Sequence, residues 1–356
     1  MTLEGYFRNL VTGKRRGMLD RLVLGFLAVL SVPYGLVVRM RALAYGAGIF
    51  RVKQLNRPVI SVGNLTVGGT GKTPMVALVA RLLMARGKRV AVISRGYGGS
   101  LEGKTHIVSD GQRVFLSAAE AGDEPVHLAT AVPGLMAVIG TDRYAAGLLA
   151  QERLNPDVFI LDDGFQHMRL HRDLNILLMD CSAPLGNGLV LPAGLLREPP
   201  LALKRADLVV YTRCTGAEAP AVHGAIPSCR AGHVLAGVEL LPGGERQPFT
   251  ALHGRRGVAF AGIADPDAFF ASLRAEGVEL AATVSFGDHS PYGEEEVARL
   301  MAVRLTAGAD FLITTGKDAV KLGPLLERLG SVYAAVLEMR LLDPDVVENT
   351  LDRILP

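Results

Sequence analysis

The pattern of apolar and polar positions divides the chain into stretches of different texture. From 22 to 38 the run LVLGFLAVLSVPYGLVV carries no charge, which sits at the lower limit of length for crossing a bilayer. Pro33 with Gly25 and Gly35 weakens a helix here, and basic residues stand on both sides: Arg8, Lys14, Arg15, Arg16 and Arg21 before it, Arg39, Arg41, Arg51 and Lys53 after it. Without a lysine and arginine asymmetry, a helix lying in the membrane interface fits better than a span. Its basic flanks would meet anionic headgroups while Leu22, Phe26 and Leu30 enter the acyl boundary. A buried core hairpin accommodates the later half of the run equally well. The run begins late and no small-residue cleavage site follows it directly, which argues against a signal peptide.

After Arg57 and Pro58 the texture changes to short β-branched runs separated by helical periodicity, the mark of a parallel sheet with crossover helices. The spacing predicts strands over 59–62, 89–93, 135–139, 158–161, 175–179 and 208–211, and a helix over 74–86 that Gly87 ends. These make a doubly wound α/β core over 56–232, preceded by an apolar helical segment over 1–55. Residues 213–250, rich in Gly, Ala and Pro, suit a connector. A smaller C-terminal α/β domain with its linker strands then occupies 233–356. Its strands are expected over 257–261 and 311–315, its helices over 266–276 and 293–304, a strand over 332–340 is in a position to pair with 233–240, and a helix over 343–354 closes the chain.

Composition narrows the picture. A chain of 356 residues is long enough for two cores, and 49% hydrophobic residues lean oily for a soluble α/β protein. A formal charge of +3 does not mark a nucleic-acid binder. Cys181, Cys214 and Cys229 show neither zinc-site spacing nor a paired framework, so a reducing cytosol is the expected compartment.

The strongest local signal lies between the first strand and the first helix of the core, Gly63-Asn64-Leu65-Thr66-Val67-Gly68-Gly69-Thr70-Gly71-Lys72-Thr73. Glycines let backbone N–H groups converge on phosphate oxygens, and the following helix adds the positive end of its dipole. Thr66, Val67, Gly68, Gly69, Thr70 and Gly71 are the expected cradle for ATP, Lys72 reaches the β- and γ-phosphates, and the Thr73 hydroxyl completes a Mg²⁺ shell. Thr66 stands where the strict phosphate-loop pattern has its first glycine. The apolar strand 158–161 ends in Asp162 and Asp163, and adjacent buried carboxylates favour a metal between or near them, so these two are the expected Mg²⁺ partners. His167 and His171 stand four apart, but no third ligand accompanies them, so ordinary polar contacts are the better reading.

In this order S-V-G-N-L-T-V-G-G-T-G-K-T-P at 61–74, I-S-R-G-Y-G-G at 93–99, G-D-E-P at 122–125 and L-D-D-G-F-Q-H at 161–167 resemble the motifs of the tetraacyldisaccharide 4'-kinase (lipid A 4'-kinase) family. So do L-P-A-G-L-L-R-E-P at 191–199, F-G-D-H at 286–289 and K-D-A-V-K at 317–321. The resemblance implies a P-loop NTPase-like core, and transfer from Mg·ATP to the 4'-hydroxyl of a tetraacyl disaccharide 1-phosphate in lipid A biosynthesis. It places the enzyme at the cytosolic face of a bacterial inner membrane, peripheral or monotopic, with no nucleic-acid or protein partner. It also implies that Asp123 is the catalytic acid–base residue with His289 its partner across a domain cleft. Lys72 and Arg197 would act on the transferring phosphoryl group, and Arg95, Glu124, Gln166 and His167 would face the acceptor substrate. A sugar hydroxyl is a poor nucleophile at neutral pH, which is the physical reason for a positioned carboxylate. Taken as residues alone, Asp123 is equally a helix N-terminal acid before Pro125, and His289 a surface histidine. The chain departs from the family pattern at Ser290, where a second histidine is usual, at Leu195, where proline is usual, and at Gly316, where glutamate is usual. A rival class is a membrane-docked P-loop switch ATPase, whose loop usually has a lysine at the position that Val67 occupies.

Overall fold

A computed structural model describes residues 3–214, 226–288 and 290–354. The chain begins with helices α1 (Leu3–Val11) and α2 (Met18–Gly46). There follow β1 (Val59–Asn64), α3 (Lys72–Ala85), β2 (Val90–Ser94), β3 (His106–Asp110), α4 (Ala118–Ala121), α5 (Asp123–Ala131), β4 (Met136–Ile139), α6 (Arg143–Arg153), β5 (Val158–Asp162), β6 (Leu174–Asp180) and β7 (Leu208–Thr212). The remainder is β8 (Ser228–Leu240), β9 (Arg246–Gln247), β10 (Arg256–Ala261), α7 (Pro266–Ala275), β11 (Glu279–Ser285), α8 (Glu294–Thr306), β12 (Phe311–Thr315), α9 (Gly316–Leu322), α10 (Leu326–Leu329), β13 (Val332–Leu341) and α11 (Pro344–Asp352). The expected mixed α/β class with a large parallel sheet is what the chain adopts.

Two compact units arise, and each is discontinuous in sequence. The first takes Met1–Val76, Asp157–Gly232 and Arg340–Pro356, the second Ala77–Pro156 and His233–Met339. They cut across the linear division at 55 and 232 expected from texture alone.

In the first unit the parallel strands run β7-β6-β1-β5, with Val62 opposite Asp162 and Gly63 opposite Leu177. Every residue of β1, β5 and β7 is buried, which is why these strands read as unbroken apolar runs and not as alternation. Leu65, Phe165, Leu177, Met179, Leu196 and Tyr211 form the core beside β6 and β7. Cys181 and Cys214 are joined by a disulfide, which corrects the expectation of no paired framework. The reason is topological: β6 and β7 run parallel with Asp180 opposite Thr212, so residues just past both ends meet although 33 positions separate them. Cysteine usage therefore carries no argument for a reducing compartment.

Residues 22–38 lie within one continuous helix, α2, with Pro33 inside it, so the buried-hairpin reading is overturned. Only Asp20, Ser31 and Gly35 of α2 are buried, while Leu22, Phe26, Val29, Val32, Leu36, Val37 and Leu43 are exposed. By length and composition this helix is apolar enough to cross a membrane. Its start is pinned by Asp20, which accepts hydrogen bonds from Gly17 N at 3.0 Å and from the Tyr6 hydroxyl of α1 at 2.9 Å. The Tyr6 hydrogen bond, before that from Gly17, holds the Asp20 carboxyl below the usual range.

In the second unit β2 and β4 pair in parallel, and β3 closes that edge antiparallel to β4. A further parallel group runs β11-β10-β12-β13. The expected linker pairing of 233–240 with 332–340 is present as neighbouring β8 and β13, and Leu241 N donates to Val332 O at 2.9 Å. Strands β3 and β11 and helices α1 and α6 are not among the elements that the pattern predicts, because their apolar periodicity is short or interrupted.

Candidate functional site

In the first unit the loop from Asn64 to Lys72 is braced before any ligand need arrive. Val67 N donates to Leu195 O at 2.7 Å, Thr66 bridges Leu196, and Arg197 N donates to Leu65 O at 2.7 Å. Residues 195–197 thus run beside the loop like a short strand. From the other side, the Asn64 side chain donates to the Thr70 hydroxyl at 2.9 Å, and the Thr212 hydroxyl donates to Thr70 O at 3.0 Å. Arg213 donates to Gly69 O and pairs with Asp180 at 3.0 Å, its backbone in the left-handed region at φ 59°. These contacts commit Thr66 and Val67 to holding the loop and leave Gly68 to Thr73 at its turn into α3. Thr70 and Thr73 are buried, and Lys72 opens the helix.

The carboxylates close this half. Asp162 ends β5 beside Val62 of β1 and is 2% exposed. Asp163 follows with φ 51°, and on its carboxylate two cations converge: Arg197 Nη1 at 3.0 and 2.8 Å from Oδ1 and Oδ2, and Lys72 Nζ at 3.7 Å from Oδ1. The turn that follows is drawn tight against β1. A Cβ on Gly63 would stand 2.8 Å from the backbone nitrogen of Phe165, so only glycine lets the two motifs meet. Arg172 donates to the carbonyls of Gly164 and Phe165 at 3.2 and 3.1 Å. Burial, then the charge of Arg205, pushes the Arg172 guanidinium down to about 10. Gln166 donates to Asn64 O at 2.9 Å, so it braces the start of the loop, and its own carbonyl accepts from Arg41 of α2 at 3.1 Å. His167 N donates to Gly164 O, and His171 pairs with Asp173 at 3.6 Å, so the two histidines make separate contacts. Among the described residues no cluster of three His, Cys, Asp or Glu side chains could hold a metal.

In the second unit Asp123 and Glu124 open α5, where unsatisfied N–H groups and the helix dipole favour negative charge. Asp123 is 8% exposed. The S-R-G-Y-G-G and G-D-E-P segments, separated in sequence, interlock by backbone approach. Gly122 has φ 88°, and a Cβ there would lie 2.5 Å from Tyr97 O, which fixes glycine directly before Asp123. Arg95 is exposed and pairs with Glu102 at 3.3 Å. Glu124 pairs with Lys317 of α9 at 2.6 Å, so the K-D-A-V-K segment supports the acidic helix start.

Behind that pair His127 lies against α9. Burial, then Lys317, pushes its imidazole down to about 4, against the opposing pull of Asp123 and Glu124. A Cβ on Gly316 would stand 2.4 Å from the His127 ring, which explains why glutamate, usual in the family pattern, has no room here. Asp318 is 0% exposed, accepting from Gly262 N at 3.1 Å and the Thr315 hydroxyl at 2.7 Å and pairing with Lys321 at 2.8 Å. Lys321 in turn donates to Ser290 O at 3.3 Å. His289 lies outside the described residues.

Sequence reasoning missed Asn64, Arg172, Thr212 and Arg213 as braces of the phosphate side, and His127 beneath the acid. Their signal is weak because each acts through a backbone carbonyl, or through burial, that only the folded chain supplies.

A glycine-bearing loop fed by a buried parallel strand and leading into a lysine-threonine helix start places the chain among the P-loop α/β proteins. The comparison with known sequences narrows this. Residues 23–356 match the family described as Tetraacyldisaccharide-1-P 4'-kinase, and the chain belongs to that family. The tetraacyldisaccharide 4'-kinase of Geobacter metallireducens is 92% identical over 338 residues, 95% of this chain and 100% of that protein. Its counterpart from Geobacter sulfurreducens is 68% identical over 355 residues, covering 100% of both chains. Among solved structures, LpxK from Aquifex aeolicus, described as an "apo" form in complex with ATP, is 35% identical with a TM-score of 0.80. That match covers 94% of this chain and 100% of the other.

Proposed function

We propose that the protein transfers the γ-phosphate of ATP to the 4'-hydroxyl of a tetraacyl disaccharide 1-phosphate in lipid A biosynthesis, at the cytoplasmic face of a bacterial inner membrane. Family membership supports the reaction. The observation that carries it from the residues is the convergence of Lys72 and Arg197 on one carboxylate beside the phosphate loop. Phosphate oxygens bind the same guanidinium and ammonium groups as a carboxylate does. Asp163 thus holds the place of the anion, and arrival of the terminal phosphates turns Lys72 and Arg197 from the carboxylate toward the nucleotide.

Thr73, Asp162 and Asp163 supply one hydroxyl and two carboxylates, a hard oxygen donor set of the kind Mg²⁺ takes together with phosphate oxygens and water. When bound there, Mg²⁺ would neutralise charge on the transferring phosphoryl group. Asp123 accepts the proton of the acceptor hydroxyl from its place in the first turn of α5. His289 is its partner by family pattern. Glu124, Arg95, Gln166 and His167 serve the acceptor side, Glu124 through its pairing with Lys317. The core over 56–232 carries the nucleotide, and 233–356 with its linker strands carries residues that support the acid. The exposed apolar face of α2 seats the enzyme as a peripheral or monotopic protein on lipid.

The direct test follows labelled γ-phosphate from ATP to purified tetraacyl disaccharide 1-phosphate in detergent. Label in the disaccharide product, with ATP consumption rising when the acceptor is added, is the expected result. ATP consumption indifferent to the acceptor would instead favour a switch ATPase.

A further inference from the structure

Helix α2 meets the rest of its unit through a narrow polar stripe, and that stripe ends on the phosphate site. The Ser31 hydroxyl donates to Val190 O at 3.0 Å and accepts from Ala193 N at 2.9 Å. A Cβ on Gly35 would touch Val190 at 3.4 Å, so the helix already lies close to this segment. One turn past Ser31, the Tyr34 hydroxyl donates to the backbone carbonyl of Arg197 at 2.9 Å. Burial, then the neighbouring Glu198 carboxylate, raises the Tyr34 pKa, so the phenol keeps the proton it donates. Arg197 is fixed on its other sides by its own N–H to Leu65 O and by its guanidinium on Asp163. Three groups therefore define where Arg197 sits: the phosphate loop, the carboxylate that follows β5, and a tyrosine of the apolar helix.

We propose that Tyr34 is a positioning residue for phosphoryl transfer, holding the main chain of Arg197 so that its guanidinium is aimed at the phosphate site. The helix is then part of the catalytic geometry as well as an anchor. The inference rests on the reading of Arg197 as a phosphoryl-binding group. A tyrosine is suited to the task because its rigid ring spans from an otherwise apolar helix to a backbone carbonyl, which a shorter hydroxyl on the same turn would not reach. Loss of the hydroxyl leaves the ring, its packing and the apolar face of α2 in place.

The experiment is a double-mutant cycle in full-length protein, with ATP and the acylated disaccharide 1-phosphate in mixed micelles: wild type, Tyr34→Phe, Arg197→Ala and the double variant. One neutral hydrogen bond is worth about a two- to tenfold change, so Tyr34→Phe should lower kcat by about that factor. The KM for ATP should stay within about twofold, and sedimentation with vesicles should be unchanged. In the Arg197→Ala background the same substitution should have almost no further effect, because it acts through Arg197. Ser31→Ala, which loosens the same segment without touching Arg197, should cost less than Tyr34→Phe. Equal fold-losses for Tyr34→Phe in both backgrounds would show a general structural role and overturn the proposal. So would wild-type kcat in Tyr34→Phe while Arg197→Ala is impaired, which would leave the role of Arg197 standing. Near-normal kcat in Arg197→Ala would remove that role and this inference together.

Discussion

The phosphate side and the acid side are built on opposite electrostatic plans. Around the loop, two cations share one carboxylate, Asp163, and the loop backbone is held by hydrogen bonds from 195–197 and from Thr212 and Arg213. Around Asp123 a carboxylate sits at a helix start behind close-packed glycine backbone, and the neighbouring cation, Lys317, is engaged by Glu124. The first plan is ready to exchange one anion for another. The second sets two acids at a helix start, where the dipole favours negative charge, and ties one of them, Glu124, to Lys317. The proposed reaction would use both, the first to grip phosphate and the second to take a hydroxyl proton.

The comparison is sharpened most by Lys72→Ala, which should lower kcat/KM by about 10²- to 10³-fold, the usual cost of one lost transition-state donor. Steady-state kinetics with varied ATP checks it, and an effect below tenfold would mean the loop does not hold the terminal phosphates through Lys72. Asp123→Asn should lower kcat by roughly 10²-fold or more while ATP binding, followed by calorimetry, stays nearly intact. A loss of ATP affinity as large as the loss of kcat would erase the distinction between the two sides.

The acid side should also show a pH signature of its own. The His127 pKa falls from 6.5 to about 4 on folding, so between these values the unfolded chain binds more protons than the native one. Stability is therefore full above about pH 6.5 and is lost as pH falls toward 4, by up to about 3 kcal/mol. Thermal melts across that range should show the slope in wild type and a shallower one in His127→Gln. The smallest effect belongs to the Glu124–Lys317 pair. Its side chains are partly exposed, so a double-mutant cycle on stability should yield a coupling below about 1 kcal/mol. Removing residues 1–40, which takes Tyr34 with the apolar face of α2, should release the protein from sedimenting vesicles, and retention on the vesicles would place the anchor elsewhere.

The sequence made the phosphate side legible because its chemistry is local. Strand, glycines, Lys72 and Thr73 are contiguous, and Asp162 and Asp163 follow an apolar run whose length and composition already define a buried strand. The acid side was legible only as motifs. That G-D-E-P packs under S-R-G-Y-G-G, and that Lys317 reaches Glu124 across 193 positions, depends on which backbones approach one another. The cysteine pair shows the same limit: nothing in three scattered cysteines announces that parallel β6 and β7 end side by side. Helix α2 shows it in reverse. Its apolarity was plain, yet whether that surface would be buried or exposed was a question that composition left open.

What the amino-acid order determined by itself was the α/β class, the glycine loop between a strand and a helix, and the strand that ends in an acid, since local periodicity and contiguous chemistry need no distant partner. Tertiary structure alone decided that Asp163 serves two cations, that Gly316 leaves room for His127, and that Tyr34 reaches the carbonyl of Arg197. Those arrangements pair groups from remote segments, and a hydrogen bond or ion pair exists only where the fold brings donor and acceptor within about 3 Å.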